Sequence, residues 1–490
     1  NILNDWLNNR YIFVFFNIVL WDWRAMGYTF SWRFDCKSNS SFNNADNFFA
    51  GLNRNIKFVG YVSESTLPDS LSSMVKNIQP QLEKYKQSSG GRFDYEFLDP
   101  VKDTSLAESI SSNFGFKPQA ISLFAEDTFY FYLTVHDGDN VYNLGIPEDH
   151  EKVDSFNKAL DAALMRIAPG FLKTVGVYTP PSNYNPMLAQ YGMPQQESSK
   201  QFKAIQQKLG GNYRSIAVDL KSGTINPEVD ILLVLAPKDL SDEQVFAIDQ
   251  YLMRGATVIM STSPIAINKN SNDFSSSDYT SGLKDWLLHH GVDIESKFVF
   301  DKRNSNFPVI SKQMVQGVAV RLAKLQPYPL FLDVRESGLN QDIGITSSLG
   351  QLTFAWGSPI IIDDKVNKDR NIVELIKSSN ESWVNSDLNI ETNHDMYPEY
   401  GFKVANEMKE SLLGVMLEGK FTSYYKGKSS PLLKDKGGEN KDSKSDSNNK
   451  EKDLKGVITS IVEKSPNVSR LIVFSSNEFV ADDTTQFISM

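Results

Sequence analysis

The sequence predicts an α/β protein built on a mostly parallel sheet, with a smaller α/β unit ahead of it. Three observations predict this class. Strand and helix patterns alternate from Ile56 to Ile146; apolar runs at Thr174–Thr179, Asp230–Pro237 and Thr257–Thr262 are separated by helical segments; and a well-capped helix joins the last two runs. Near-continuous apolar strands of this kind belong to sheets covered on both faces.

The first unit reads as a strand at Ile56–Val62, a helix at Leu71–Tyr85, a strand at Arg92–Pro100, a short helix near Ser105–Asn113, then two strands flanking Asp137 and Gly138. Asp-Gly between alternating apolar residues is a hairpin signal. The order β-α-β-α-β-β predicts a small thioredoxin-like α/β domain, without the C-x-x-C that redox chemistry would need. Asp137 and Asp139 lack the twelve-residue ligand spacing of a calcium loop, so they read as turn residues.

The second unit begins with a helix over Lys152–Arg166, followed by the strand Thr174–Thr179, a helix near Glu197–Leu209 and strands Arg214–Leu220 and Asp230–Pro237. Ser241 caps the next helix, with Gln244 three residues on; Val245, Ile248 and Leu252 share a face, and Gly255 stops it. A right-handed crossover then sets Ala236 and Pro237 beside Ser261, Thr262 and Ser263. Ligands of open parallel sheets bind outside the carboxyl ends of the strands. Lys238, Ser261, Thr262 and Ser263 are therefore the candidate ligand crevice, against the plainer reading of ordinary loop polarity.

At 490 residues the chain is long enough for two or three domains. The expected division is a membrane-proximal segment 1–53, a small α/β domain 54–148, a large Rossmann-like α/β domain 149–433, a charged disordered insertion 434–455, and a closing strand of the large domain in 456–490. The insertion holds seven Lys, six Asp or Glu and a single large apolar residue, Leu454, too little to bury. A net charge of −10 gives no global attraction to nucleic acid. The apolar run Tyr11–Trp21 would span about 16 Å as a helix, roughly half a bilayer core. It reads as part of a membrane anchor, or alternatively as a buried strand or helix.

No catalytic, cofactor or metal site is expected. The single Cys36 has no second thiol, and the five histidines show no H-E-x-x-H or H-x-H spacing. His289 and His290, adjacent in a helical stretch, are expected on the solvent side. Gly414, Gly419 and Lys420 mimic a phosphate-binding loop, yet Phe421 stands where a hydroxyl must reach magnesium. No G-x-S-x-G elbow, S-x-x-K or G-x-G-x-x-G sits in a strand-turn-helix context. Asp363 and Asp364 read as a solvated turn.

Five segments, Arg33–Asn53, Leu82–Pro100, Leu232–Met260, Ser281–Ile294 and Leu417–Gly427, together resemble the GldG-like family. This is the auxiliary, extracytoplasmic component of ABC transport systems linked to gliding motility. Gly419, Lys420 and Phe421 fall on the family's G-K-F-x-S-Y/F pattern. Cys36 and Lys37 depart from its R-x-D-L-T, and Gly255 with Ala256 from a common double glycine. The resemblance implies a non-catalytic accessory subunit at the cell inner membrane, its bulk periplasmic, working with an ABC permease and a separate ATPase. It also implies membrane attachment at the N-terminus and by a second helix after Met490. The large domain is similar in type to glutamine-amidotransferase-like folds, which keeps the alternative of a soluble ligand-binding receptor or a small-molecule enzyme; the missing elbow cysteine argues against the enzyme.

Overall fold

The computed structural model describes residues 55–120, 128–138, 140–144, parts of 156–164, 173–181, 202–210, 213–270, 273–315, 318–433 and 461–489. The apolar run at 11–21, Cys36, Asp139 and the charged stretch 434–455 lie outside the described residues, as do parts of the helices expected over 152–166 and 197–209.

The chain first builds β1 (Ile56–Val62), α1 (Asp69–Ser88), β2 (Phe93–Leu98) and α2 (Thr104–Phe114). A short pair, β3 (Gln119–Ala120) and β4 (Thr128–Phe129), precedes the hairpin β5 (Phe131–Asp137) and β6 (Asn140–Leu144). These strands form a four-stranded sheet in the order β2-β1-β5-β6, parallel between β1 and β2 and antiparallel elsewhere. Gly138 takes the left-handed backbone the hairpin turn needs (φ 59). Asp103 caps α2 by accepting from the backbone N–H groups of Ser105 and Leu106. Gly115 ends α2 at φ 70, and a Cβ there would meet the Lys464 backbone nitrogen at 2.6 Å, so only glycine admits the late chain segment this close.

Both faces of this sheet are covered. Ile56, Phe58 and Val62 pack with Leu71, Met74, Ile78 and Leu82 of α1, whereas Val59 and Tyr61, with Tyr130 and Tyr132, join the apolar layer of the larger sheet. Strand β1 is therefore buried at six of its seven positions rather than alternating.

The larger sheet begins with β7 (Thr174–Tyr178), α3 (Lys203–Gly210), β8 (Arg214–Ala217), β9 (Ile231–Leu235), α4 (Asp242–Met253) and β10 (Thr257–Ser261). There follow β11 (Ile265–Asn270), β12 (Asp273–Asp278), α5 (Lys284–His289), β13 (Val292–Ile294), β14 (Phe298–Asp301), β15 (Asn304–Val315), β16 (Val318–Arg335) and β17 (Gln351–Ala355). The chain closes with β18 (Ile360–Ile362), β19 (Asn371–Lys377), β20 (Ser382–Asn385), β21 (Leu412–Gly419), β22 (Ser469–Phe474) and α6 (Asp482–Ser489). Eight strands run in the order β13-β18-β21-β22-β10-β9-β7-β8, and β19 pairs with β21 off this path.

Strands β22, β10, β9, β7 and β8 are mutually parallel, while β21, β18, β19 and β13 extend the sheet by antiparallel pairing. The protein is thus mixed α/β with several sheets and few helices. A chain of strands from Phe298 onward replaces the strand-helix alternation of the first half, and forms the small sheets β14-β20 and β15-β16-β17. Side chains alternate across the large sheet, as its pleat requires. Ile231, Leu233, Leu235, Ile259 and Phe474 face the layer holding α3 and β14–β17, and Leu232, Val234, Val258, Met260 and Val473 face α4 and α5.

Candidate functional site

The carboxyl edge of the parallel strands is where the sequence places its candidate crevice. Beyond β9 the chain turns sharply: Ala236 has φ 43 and donates its N–H to the Ser261 carbonyl at 2.8 Å, and its own carbonyl accepts the Tyr279 hydroxyl at 2.7 Å. Ser261, Thr262 and Ser263 do come together here, each almost wholly buried. The Ser261 hydroxyl donates to the Ser476 carbonyl, and the Thr262 N–H donates to the Phe474 carbonyl at 2.9 Å. Ser263 pairs its hydroxyl with that of Ser358 at 2.9 Å and donates its N–H to Asn477 Oδ1 at 3.1 Å. Asn477 in turn donates Nδ2 to the carbonyls of Ser263 and Ile265. The segment after β22 thus closes over this edge, and the hydroxyls of Ser261 and Ser263 serve the protein's own chain. Lys238 lies on the exposed part of the loop after β9.

A charged cluster missed by sequence reasoning sits on the same side. Lys269 of β11 holds its ammonium 2.6 Å from Glu478 Oε2, 2.9 Å from Asp483 Oδ2 and 2.7 Å from the Thr484 hydroxyl. The Glu478 side chain is 1% exposed and that of Lys269 8%. The ammonium also stands 5.3 Å from the Trp356 ring. Trp356 itself holds a left-handed backbone (φ 47) and donates its indole N–H to the Tyr328 hydroxyl at 3.2 Å. The ammonium is thus hydrogen-bonded to Thr484 and ion-paired with two carboxylates. Such an arrangement ties helix α6 and the segment before it to the β11–β12 hairpin. Asp482 completes the anchorage by accepting the Lys203 and Ala204 N–H groups at 2.8 and 3.0 Å, which caps α3.

The second polar centre lies on the opposite face, around α4. Its N-terminus carries the predicted capping box between Ser241 and Gln244. Asp249, wholly buried, accepts from Trp286 Nε1 at 3.0 Å and the Tyr424 N–H at 3.0 Å on one oxygen. Its other oxygen accepts Gln250 Nε2 at 3.0 Å and the Ser423 hydroxyl at 2.5 Å. Burial pushes this carboxyl above the usual carboxylate range, and the donors from Ser423, Tyr424, Trp286 and Gln250 pull the other way. Gln250 Oε1 accepts the Val462 N–H at 2.7 Å, tying a third segment in.

This network explains the Gly-Lys-Phe-Thr-Ser-Tyr-Tyr run. Gly414 lies inside strand β21, so the false phosphate loop is largely strand. Phe421 packs under the Arg370 guanidinium at 4.3 Å, Ser423 and Tyr424 donate to Asp249, and Tyr425 meets Phe246 edge-on at 5.1 Å while its hydroxyl donates to the Asp242 carbonyl. The run is a bracket that clamps α4. A visible signal was Asp249 itself, a charge beside the apolar stripe Val245, Ile248 and Leu252.

His290 corrects the expectation for the histidine pair. His289 is exposed, but His290 is fully buried between Trp286 and Phe421, with ring centroids at 4.5 and 5.4 Å. Neither ring nitrogen has a hydrogen-bond partner among the described residues. Burial drives its pKa well below the usual histidine value, helped by the charges of His289 and Arg370. The reason is positional: His290 is the C-cap just past helix α5, whose Trp286 and Leu287 face inward, and Arg370 donates to its carbonyl at 3.2 Å. Asp363 accepts the N–H groups of Lys365 and Val366, which is turn chemistry.

Among the described residues no group of three or more His, Cys, Asp or Glu side chains is placed to hold a metal ion, and no helix is long and apolar enough to cross a membrane. Residues 172–489 match the family described as an ABC-type uncharacterized transport system, and residues 43–136 match a domain of unknown function, DUF7088. An uncharacterized protein of Borreliella burgdorferi is 23% identical over 242 residues, covering 47% of this chain and 44% of the relative. The chain thus spans less than half the length of that relative. No solved structure matches the chain.

Proposed function

Because the chain belongs to the ABC-type uncharacterized transport system family, we propose that it is a non-catalytic accessory subunit of an ABC-type transporter. In this reading it sits at the cell inner membrane with its bulk on the periplasmic side and acts through contacts with a permease served by a separate ATPase. The transporter serves surface motility or export. The observation that carries the reading, beyond family membership, is how the buried polar groups are used. Asp249, Lys269, Ser261 and Ser263 bond to distant parts of the same chain, which suits a scaffold more than a reaction centre.

The same reading takes the four-stranded sheet as thioredoxin-like without its redox motif, and the larger sheet as a Rossmann-like core with an antiparallel extension. Support comes from the order β2-β1-β5-β6 and from the five parallel strands β22-β10-β9-β7-β8. The test is cross-linking in living cells, followed by denaturing purification and mass spectrometry. A polytopic permease joined to this chain is the expected result; cross-links confined to soluble enzymes would overturn the reading.

A second reading, a ligand receptor at the strand-end crevice, is favoured by the exposed Lys238 between Ala236 and Asp239, both of left-handed backbone (φ 43 and 47). Native mass spectrometry of protein purified from its own cells tests it. A small molecule retained by the wild type and lost from Lys238→Ala would support the receptor, and none retained would dismiss it.

A further inference from the structure

Strand β13 ends the large sheet, and among the described residues its outer edge carries no further strand. The Asp363 N–H donates to the Gly291 carbonyl at 3.0 Å, and the Glu295 N–H to the Pro359 carbonyl at 3.1 Å. With Asp293 opposite Ile361, this register turns the backbone groups of Gly291, Asp293 and Glu295 toward β18. The N–H and C=O groups of Val292 and Ile294 therefore point away from the sheet, in the spacing that an added strand would use.

Apolar side chains gather around this edge. Seven large ones are well exposed among the described residues, and three of them, Leu288 (41%), Ile361 (52%) and Val366 (41%), lie at β13 and its neighbour β18. The Leu288 carbonyl accepts the Gly291 N–H at 2.9 Å, and a Cβ built on Gly291 would stand 3.0 Å from that of Val366, so both residues flank the turn into β13. Val292 and Ile294 face the layer that holds Trp286 and Leu287 of α5, whereas Asp293 shares the opposite face with Ile361. Asp293 forms no ion pair or side-chain hydrogen bond with the described residues.

Asp293 also selects the occupant. Were a second copy to pair antiparallel through this edge, Val292 of one chain would stand opposite Ile294 of the other, and the two Asp293 carboxylates would meet directly, which is destabilising. A segment with Lys or Arg at that point and apolar residues on either side meets the reverse condition. Its cation faces Asp293, and its apolar neighbours turn to the α5 face beside Val292 and Ile294.

We propose that the outer edge of β13 is a docking site for an extended segment of another protein, in which a Lys or Arg stands between apolar residues, added to the large sheet as a further strand. The proposal goes beyond the accessory reading and stands without it, because the edge can be probed in the purified chain. Residue-resolved hydrogen exchange of that chain is expected to show unprotected Val292 and Ile294 amides beside protected Asp293 and Glu295 amides. Protection of all four would mean that the edge is already covered, and would overturn the proposal. The partner is then sought in cells that make the protein, with a photoreactive residue in place of Val366 and the cross-linked segment sequenced by mass spectrometry. A segment of apolar, basic, apolar order is expected. Asp293→Lys, melting like the wild type, is expected to cut the yield about tenfold, since a lysine then faces the partner's cation. Exchanging that cation for Glu should restore the yield. Cross-links to a second copy of this chain, no cross-link, or a yield unchanged by Asp293→Lys would each overturn the proposal.

Discussion

Asp249 and His290 concentrate the unusual energetics of single side chains in this protein. Asp249→Ala removes the acceptor of four buried donors, so a stability loss on the order of 3 kcal/mol is expected. Asp249→Asn should cost less, yet more than nothing, because Gln250 is fixed by Val462 and its amide would face another amide. Urea titration followed by tryptophan fluorescence reads both. For His290 the sign follows from burial. Its folded pKa lies well below the unfolded value near 6.5, so below that pH the unfolded chain takes up a proton that the folded chain refuses. Stability should therefore fall as pH drops from 7.5 to 5.5, with this residue contributing up to about 1.4 kcal/mol. His290→Leu should flatten the fall, as compared by thermal melts at the two pH values; an unchanged pH dependence would contradict the assignment. Asp249 acts in the opposite sense: its raised folded pKa makes stability fall as pH climbs from about 4 through that value. Neither residue was legible as buried. Their partners, Ser423, Tyr424, Phe421 and Arg370, lie tens to more than a hundred positions away, and helix periodicity reports only one buried stripe.

Elements were legible where local chemistry decides them. Strand β1 begins and ends at the expected residues, α4 carries its capping box and stops at Gly255, and the Asp137–Gly138 hairpin forms. Each depends on neighbours within a few positions. The antiparallel extension of the large sheet was not legible, because β13 and β18 are short and β13, β18 and β19 all acquire their register from partners far along the chain. The same limit hid the cluster of Lys269, Glu478 and Asp483, which joins β11 to the start of α6. Lys269→Met should cost about 3–5 kcal/mol, since it removes the cation from a buried carboxylate. Adding Glu478→Leu should recover most of the loss, and a melting-temperature cycle of the two single variants and the pair checks it. If the single and double variants melt alike, the cluster is not coupled in the way described. Ser261–Ser263 show the other side of this limit: their place at the strand ends was readable, but not that residues 474–477 would close over them.

Across the whole molecule, strand β22, from the last residues described, lies between β10 and β21 in the middle of the large sheet. The sheet therefore closes only when the chain's two distant parts meet, and Asp249, Gln250 and Ser423 link α4 to the bracket and to residue 462 across the same join. Family membership directs attention from this core, whose Asp249, Ser261 and Ser263 bond within the chain, to the surfaces it supports. The measurement that tests the accessory reading most directly is isolation of the native protein from membranes in mild detergent, with quantitative mass spectrometry of what accompanies it. The account predicts a polytopic permease and an ATPase in fixed ratio to this chain. Recovery of the chain alone, from a soluble fraction, would contradict it.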